Sequence, residues 1–236
     1  MTSSPPAAPP PSGGTEPTQV QARPKRGGAV PPDPLSLTPR QSARRERIVE
    51  AGVSLLGVHH YEEIQVKDIA VAADVALGTV YRYFASKEHL FAEVLVRWAA
   101  SLRTSLDRRP LKEGTAGDRL KEVLHRGIRG FQRQPQLARL VATLEMSTDP
   151  FAVEILQRLD RTTLEAYTQA IPDIPGEQAA GIIRVVNAVY GAALRSWSMG
   201  RAPIVQLYDR VDEAVDLLLE FSVAGSSGKP ASKRRG

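Results

Sequence analysis

Cysteine is absent from all 236 residues. That excludes disulfides, thiolate nucleophiles and cysteine-ligated zinc, and it fits a reducing compartment. Long hydrophobic runs are missing as well: no stretch approaches the roughly 18 uninterrupted apolar residues that a membrane span needs. The N-terminus lacks the charged-then-apolar layout of a secretory signal, so the expectation is a cytoplasmic protein without membrane contact. No nucleophile sits beside a base, and there is neither a metal cluster nor a phosphate loop; no enzymatic activity, cofactor or metal is expected. His59-His60 is the one histidine pair, and neighbours on a helix end do not point at a single metal. Gly225 to Lys229 echoes a phosphate loop without its spacing or its flanking strand and helix. Strand alternation bounded by hairpin turns is also missing, and so are internal repeats.

What is present is apolar material, 42% of the residues, enough for a core between two tails. Residues 1 to 40 are dominated by Pro, Gly, Ser and Ala, with almost nothing large to bury, and read as a disordered arm. Its Arg23, Lys25 and Arg26 either reach phosphates or belong to a solvated leader with no defined role. Residues 225 to 236 read as a disordered basic tail. The net charge of +5 follows the tails: residues 1 to 47 carry seven Lys/Arg against three acids and residues 225 to 236 four against none, leaving the body at −3. Residues 41 to 97 hold seven bases and eight acids. Charge alone therefore does not mark a nucleic-acid-binding domain.

Between the tails apolar residues recur at helical spacing, which predicts an all-α fold. A first helix is expected from about Ser42 to Gly57, with Ile48, Ala51, Leu55 and Leu56 as its buried stripe. A second runs from about Val66 to Ala73, with Val66, Ile69, Ala70 and Ala73 at i, i+3, i+4 and i+7. After a break at Asp74-Val75-Ala76 comes a third, about Leu77 to Phe84. The fourth starts behind Ser86, a suitable N-cap with Glu88 in the first turn, and ends near Asp107. Pro110, Gly114 and Gly117 then mark a linker. Five more helices are expected over about 118–133, 136–146, 151–171, 177–199 and 203–223, with Pro203 suited to the first position of the last.

Residues 65 to 84, from Gln65 to Phe84, have the build of a helix-turn-helix, in which the second helix enters the major groove. Asp74 falls where the turn calls for positive φ, which Asp tolerates better than most non-glycine residues. Val80 and Phe84 share one face and seat the helix. Thr79, Tyr81, Arg82 and Tyr83 are expected to point outward, with hydroxyls, aromatic edges and a guanidinium for phosphates and base edges. Gly78 permits close backbone approach near the helix N-terminus, and Lys87 is placed to bond phosphate.

LGTVYRYFASKEHL, residues 77 to 90, resembles the TetR/AcrR signature: Gly-Thr before Leu/Val, Tyr, a variable residue, Tyr/His, Phe, then Ser-Lys and a short spacer before Leu. Arg44-Arg45-Glu46-Arg47-Ile48 and Val66-Lys67-Asp68-Ile69-Ala70 fit the same pattern. The resemblance implies nine or ten helices, a homodimer formed by the last two, and repression relieved when a ligand enters the C-terminal domain. By matching position Thr79, Tyr81, Tyr83 and Lys87 would contact DNA, with Gly78, Arg82, Arg44 and Arg45 beside them. Three residues depart from the pattern: Gln65 replaces the usual Ser/Thr cap, Asp74 the turn Gly, and His60 a Gly before Tyr61. These departures resemble the subgroup of actinobacterial cholesterol-catabolism repressors.

The expected organisation is a disordered arm over 1–40, a helix-turn-helix domain over 41–90, an effector-binding and dimerisation domain over 91–224, and the tail. The penultimate helix interleaves Gly181, Ala188, Gly191, Ala192 and Ala193 with Ile183, Val186, Val189 and Leu194, and the last carries Val211, Val215, Leu218, Leu219 and Phe221. Such helices are apolar on more than one face and can pair with a second subunit. A symmetric dimer implies double-stranded operator DNA of pseudo-palindromic sequence. Phe131, Leu144, Phe151, Tyr167, Asn187, Tyr190 and Trp197 lie on helices that would surround an effector pocket, although such residues also build ordinary core. The subgroup resemblance suggests a bulky apolar effector, a steroid or fatty-acyl group carried as a coenzyme A thioester. The competing reading is a DNA-binding dimer whose C-terminal domain meets a protein and no small molecule.

Overall fold

The structure, a computed structural model, describes residues 30–107, 111 and 113–227. The basic residues of the arm and the tail, Arg23 to Arg26 and Lys229 to Arg235, lie outside the described residues, as does the side chain of Phe221. Among the described residues the regular structure is all helical: a 3₁₀ turn at Pro34–Ser36, then α1 (Pro39–Leu56), α2 (Val66–Ala72), α3 (Leu77–Tyr83), α4 (Lys87–Asp107), α5 (Ala116–Arg133), α6 (Pro135–Leu144), α7 (Pro150–Ala170), α8 (Gly176–Ser198) and α9 (Ile204–Ser227). None is long and apolar enough to cross a membrane.

Local chemistry explains most boundaries. Thr38 caps α1: its hydroxyl accepts from Gln41 N–H (3.4 Å) while Gln41 Oε1 accepts from Thr38 N–H (2.9 Å), and Pro39 takes the first helical position. The first helix thus starts three residues before the expected Ser42, and residues 30 to 40 are not part of a structureless arm. Thr115 and Asp118 form the same reciprocal cap on α5. Asp149 accepts from Ala152 N–H (2.9 Å) at the head of α7. Ser86 Oγ accepts from His89 N–H (2.9 Å), the cap expected for α4. Pro203 stands one residue ahead of α9, and that helix continues to Ser227, past the expected end at 223.

Helices α2 and α3 pack on α1 and on each other, and α1 packs against the N-terminal half of α4, whose other neighbours are α5, α6 and α7. Gly52 lets α1 and α4 meet: a Cβ there would come within 3.0 Å of Val94 and 3.1 Å of Leu90. The expected boundary at residue 90 therefore falls inside a continuous helix, where Leu90, Phe91, Val94 and Leu95 are fully buried. One cluster of buried apolar side chains runs through both halves. In the C-terminal half α8 lies along α9, with α5, α6 and α7 packed around the pair.

Candidate nucleic-acid interface

The turn between α2 and α3 is closed by backbone bonds. Asp74 adopts φ +51°; Val75 N–H donates to Ala70 C=O (3.0 Å) and Asp74 N–H to Val71 C=O (3.1 Å), which satisfies the last carbonyls of α2. This is the left-handed position expected at Asp74. At the other end of α2 the missing Ser/Thr cap is offset in part: Asp68 Oδ2 accepts from Gln65 N–H at 2.9 Å.

Helix α3 is seated by Val80, Tyr83 and Phe84, all 2% exposed or less. Gly78, Tyr81 and Arg82 are exposed and Thr79 half-buried, so a polar outward face of four expected residues is assembled. A Cβ at Gly78 would meet nothing within 4 Å, so nothing inside the protein calls for glycine there.

Two expected contacts are corrected. Tyr83 does not point outward: it follows Val80 by three residues and precedes Phe84, so helical geometry puts it on the face those two bury. Its hydroxyl is buried and has no hydrogen-bond partner among the described residues. Arg45 is also turned inward. It lies three and four residues before Ile48 and Val49, pairs with Glu93 of α4 at 2.7 Å, and sets its guanidinium over the Phe84 ring at 5.1 Å. Arg44 is exposed.

Lys87 is half-buried. Its ammonium donates to the Tyr61 carbonyl and sits 4.0 Å above the Tyr61 ring, tying the start of α4 to the loop after α1. Burial pulls its pKa below the usual lysine value, and Glu62 and Glu88 oppose that shift. One donor is spent on Tyr61; an ammonium carries three.

Sequence reasoning did not single out His89. Its ring stacks on Phe151 of α7 (5.2 Å between centroids, 13° between planes) and meets the edge of Phe84 (5.4 Å), while Nδ1 accepts from Ala85 N–H (3.1 Å). Burial holds it neutral, with a pKa pushed down to about 4. One side chain thus links the end of α3 to the C-terminal half. Arg139 of α6 makes a second link, donating to the Ser198 carbonyl at 3.0 Å and lying 3.3 Å from His60 Nδ1.

None of the seven residues expected around an effector pocket borders either of two clefts found among the described residues. Phe131 packs on Trp98 (4.6 Å), Phe151 on His89, Leu144 is core, and Trp197 is half-buried against the core. Asn187 donates to Asp160 at 3.3 Å. Tyr167 and Tyr190 are buried, and loss of solvation raises the pKa of both phenols. Clefts occur elsewhere: one of about 550 Å³ between α7 and α8, bordered by Leu164, Thr168, Ile183 and Arg184, and one of about 570 Å³ where α1, α4 and the α5–α6 corner meet, bordered by Val53, Arg97, Trp98 and Leu137. Large apolar and aromatic residues fill a core as readily as they line a pocket.

Comparison with known proteins covers both halves. Residues 48–94 match the profile described as bacterial regulatory proteins, tetR family, and residues 114–218 match the tetracyclin repressor-like C-terminal domain. The chain is 32% identical over 180 residues to the HTH-type transcriptional repressor KstR of Mycolicibacterium smegmatis, covering 76% of this chain and 88% of that protein. It superposes on a TetR transcriptional regulator from Rhodococcus sp. RHA1 with TM-score 0.68 at 28% identity, covering 76% and 97% of the two chains. It also shares the fold of Thermus thermophilus FadR, solved in complex with lauroyl-CoA, with TM-score 0.61 at 20% identity over 81% and 100%. Matched over residues 48–94 and 114–218 and carrying a tight turn and a seated third helix, the chain belongs to the TetR family of bacterial transcriptional regulators.

Proposed function

We propose that the protein is a homodimeric repressor that holds a pseudo-palindromic operator through α3 and lets go when a small apolar effector binds its C-terminal half. Family members of this kind are DNA-binding proteins, not enzymes. The observation that carries the reading is α3 itself: rigidly seated by Val80, Tyr83 and Phe84, it offers Gly78, Thr79, Tyr81 and Arg82 to a groove. Lys87 adds a cation held at the head of α4.

The dimer reading is supported by α8, whose half-buried Gly181 and exposed Val185, Ala188 and Ala192 line up at helical spacing, with exposed Met199 at its C-cap. Val205 and Leu217 of α9 are also about half exposed. Small and apolar residues in such a row let a second helix approach closely. The effector reading is supported by the likeness to a repressor solved with lauroyl-CoA and by Tyr167 and Tyr190, two buried phenols in the C-terminal half. A largely apolar thioester that parts the core near them would find two polar anchors.

The test is a selection of bound fragments from random double-stranded DNA, followed by titration of the selected complex with lauroyl-CoA and with a steroid-acyl thioester. Enrichment of an inverted repeat and its release by either thioester are expected. An intact complex with both thioesters overturns the effector class, and an enriched sequence without two-fold symmetry overturns the dimer.

A further inference from the structure

Helix α1 sorts its charges by face. At about 100° per residue, Arg45, Ile48, Val49, Gly52 and Leu56 fall on one side, and all are buried. Glu46 and Glu50 fall on one flank, where both pair with Arg97 of α4. Arg40, Arg44 and Arg47 fall on the other flank, within about 60° of one another. All three are exposed, and none has an ion pair or hydrogen bond to a described residue.

The placement of Arg40 is a second, independent observation. It is the second residue of α1, whose first turn holds no acid. A cation there faces the positive end of the helix dipole and gains nothing from the fold. Local choices that work against the fold collect where function asks for them. Position agrees as well. Helix α4, which connects to the C-terminal half, covers the acidic flank, so the basic flank is turned away from that half. Arg45 lies over Phe84, so the N-terminal half of α1 runs beside the end of α3.

We propose that Arg40, Arg44 and Arg47 form a clamp on the sugar-phosphate backbone next to the groove that receives α3. This rests on the DNA-binding reading above. A guanidinium donates two parallel N–H groups to a phosphate, which suits Arg to this task. Phosphate contacts fix register and add affinity without carrying sequence information. The clamp is therefore the part of the interface that treats all duplexes alike, and it replaces the role expected of Arg45.

The full-length chain and the variant Arg40→Gln/Arg44→Gln/Arg47→Gln are compared on the selected operator and on a scrambled duplex of equal length, across a potassium chloride series. Six lost phosphate contacts, three from each subunit of the dimer, should make the log–log salt slope shallower by about 5. Affinity should fall by the same factor on both duplexes, leaving their ratio unchanged. Arg161→Gln, an exposed change on α7, serves as a control and should leave the slope alone. All three clamp residues are exposed, so the triple variant should melt with the parent. An unchanged slope in the variant, with a salt-sensitive parent, overturns the clamp and spares the DNA reading. A collapse of the operator-to-scrambled ratio overturns it too, since the arginines would then be reading bases. A parent that binds no duplex takes both inferences down.

Discussion

Replacing Tyr83 with Phe sets the two readings of the third helix against each other. The ring is 2% exposed and its hydroxyl has no hydrogen-bond partner among the described residues. An unsatisfied buried hydroxyl costs about 1–3 kcal/mol of desolvation. Deleting the one oxygen leaves the ring and its packing on the core in place, so most of that cost should be recovered. For a chain of this size about 1 kcal/mol moves the melting temperature by roughly 2–4 °C. The expected outcome is a rise of about 2 to 10 °C by calorimetry, with operator affinity unchanged. A contact with phosphate or base would behave in the opposite way: no gain in stability, and a loss of binding near tenfold for each 1.4 kcal/mol. A Tyr83→Phe protein that melts with the parent but binds DNA tenfold more weakly refutes the packing argument.

Arg45→Gln should destabilise the fold by about 3 kcal/mol or more, because Glu93 is then left nearly buried without its partner, and urea titration reads the loss directly. Gly78→Ala should leave the melting temperature unchanged or slightly raised, since the new methyl meets nothing, yet weaken operator binding by crowding the DNA backbone; equal affinity would remove Gly78 from the interface. Tyr81→Ala should weaken binding without unfolding, as its side chain is about half exposed. His89 stays neutral in the fold down to about pH 4, whereas the unfolded chain takes up the proton near pH 6.5, so its contribution is present above pH 6.5 and fades on acidification toward pH 4. Between pH 7.5 and pH 5 this amounts to about 2 kcal/mol, and His89→Phe should flatten that part of the stability profile.

Much of the architecture was legible because it rests on local chemistry. The positive φ at Asp74, the Ser86 cap and the apolar periodicity of α2 each follow from residue type and spacing. The early start of α1 was equally local: Thr38-Pro39-Arg40-Gln41 spells a capping box with proline inside it, a signal hidden by the proline-rich run before it. Arg45 and Tyr83 were missed because identity was weighed above position. An arginine beside other arginines, and a tyrosine beside an exposed one, still obey the helical period that turns each of them inward. The site of an effector was not legible, since aromatic and branched side chains report burial and not whether a space is left between them. The pairing of His89 with Phe151 joins residues 62 positions apart, beyond any local rule.

Helix α4 carries one core from the first half of the subunit into the second, and this has a thermodynamic consequence. Leu90 and Phe91 close the DNA-binding half while His89, immediately before them, leans on Phe151 of the other half. Heat should therefore melt the subunit in a single cooperative step, and a fragment cut off after residue 90 would lose the helix that completes it.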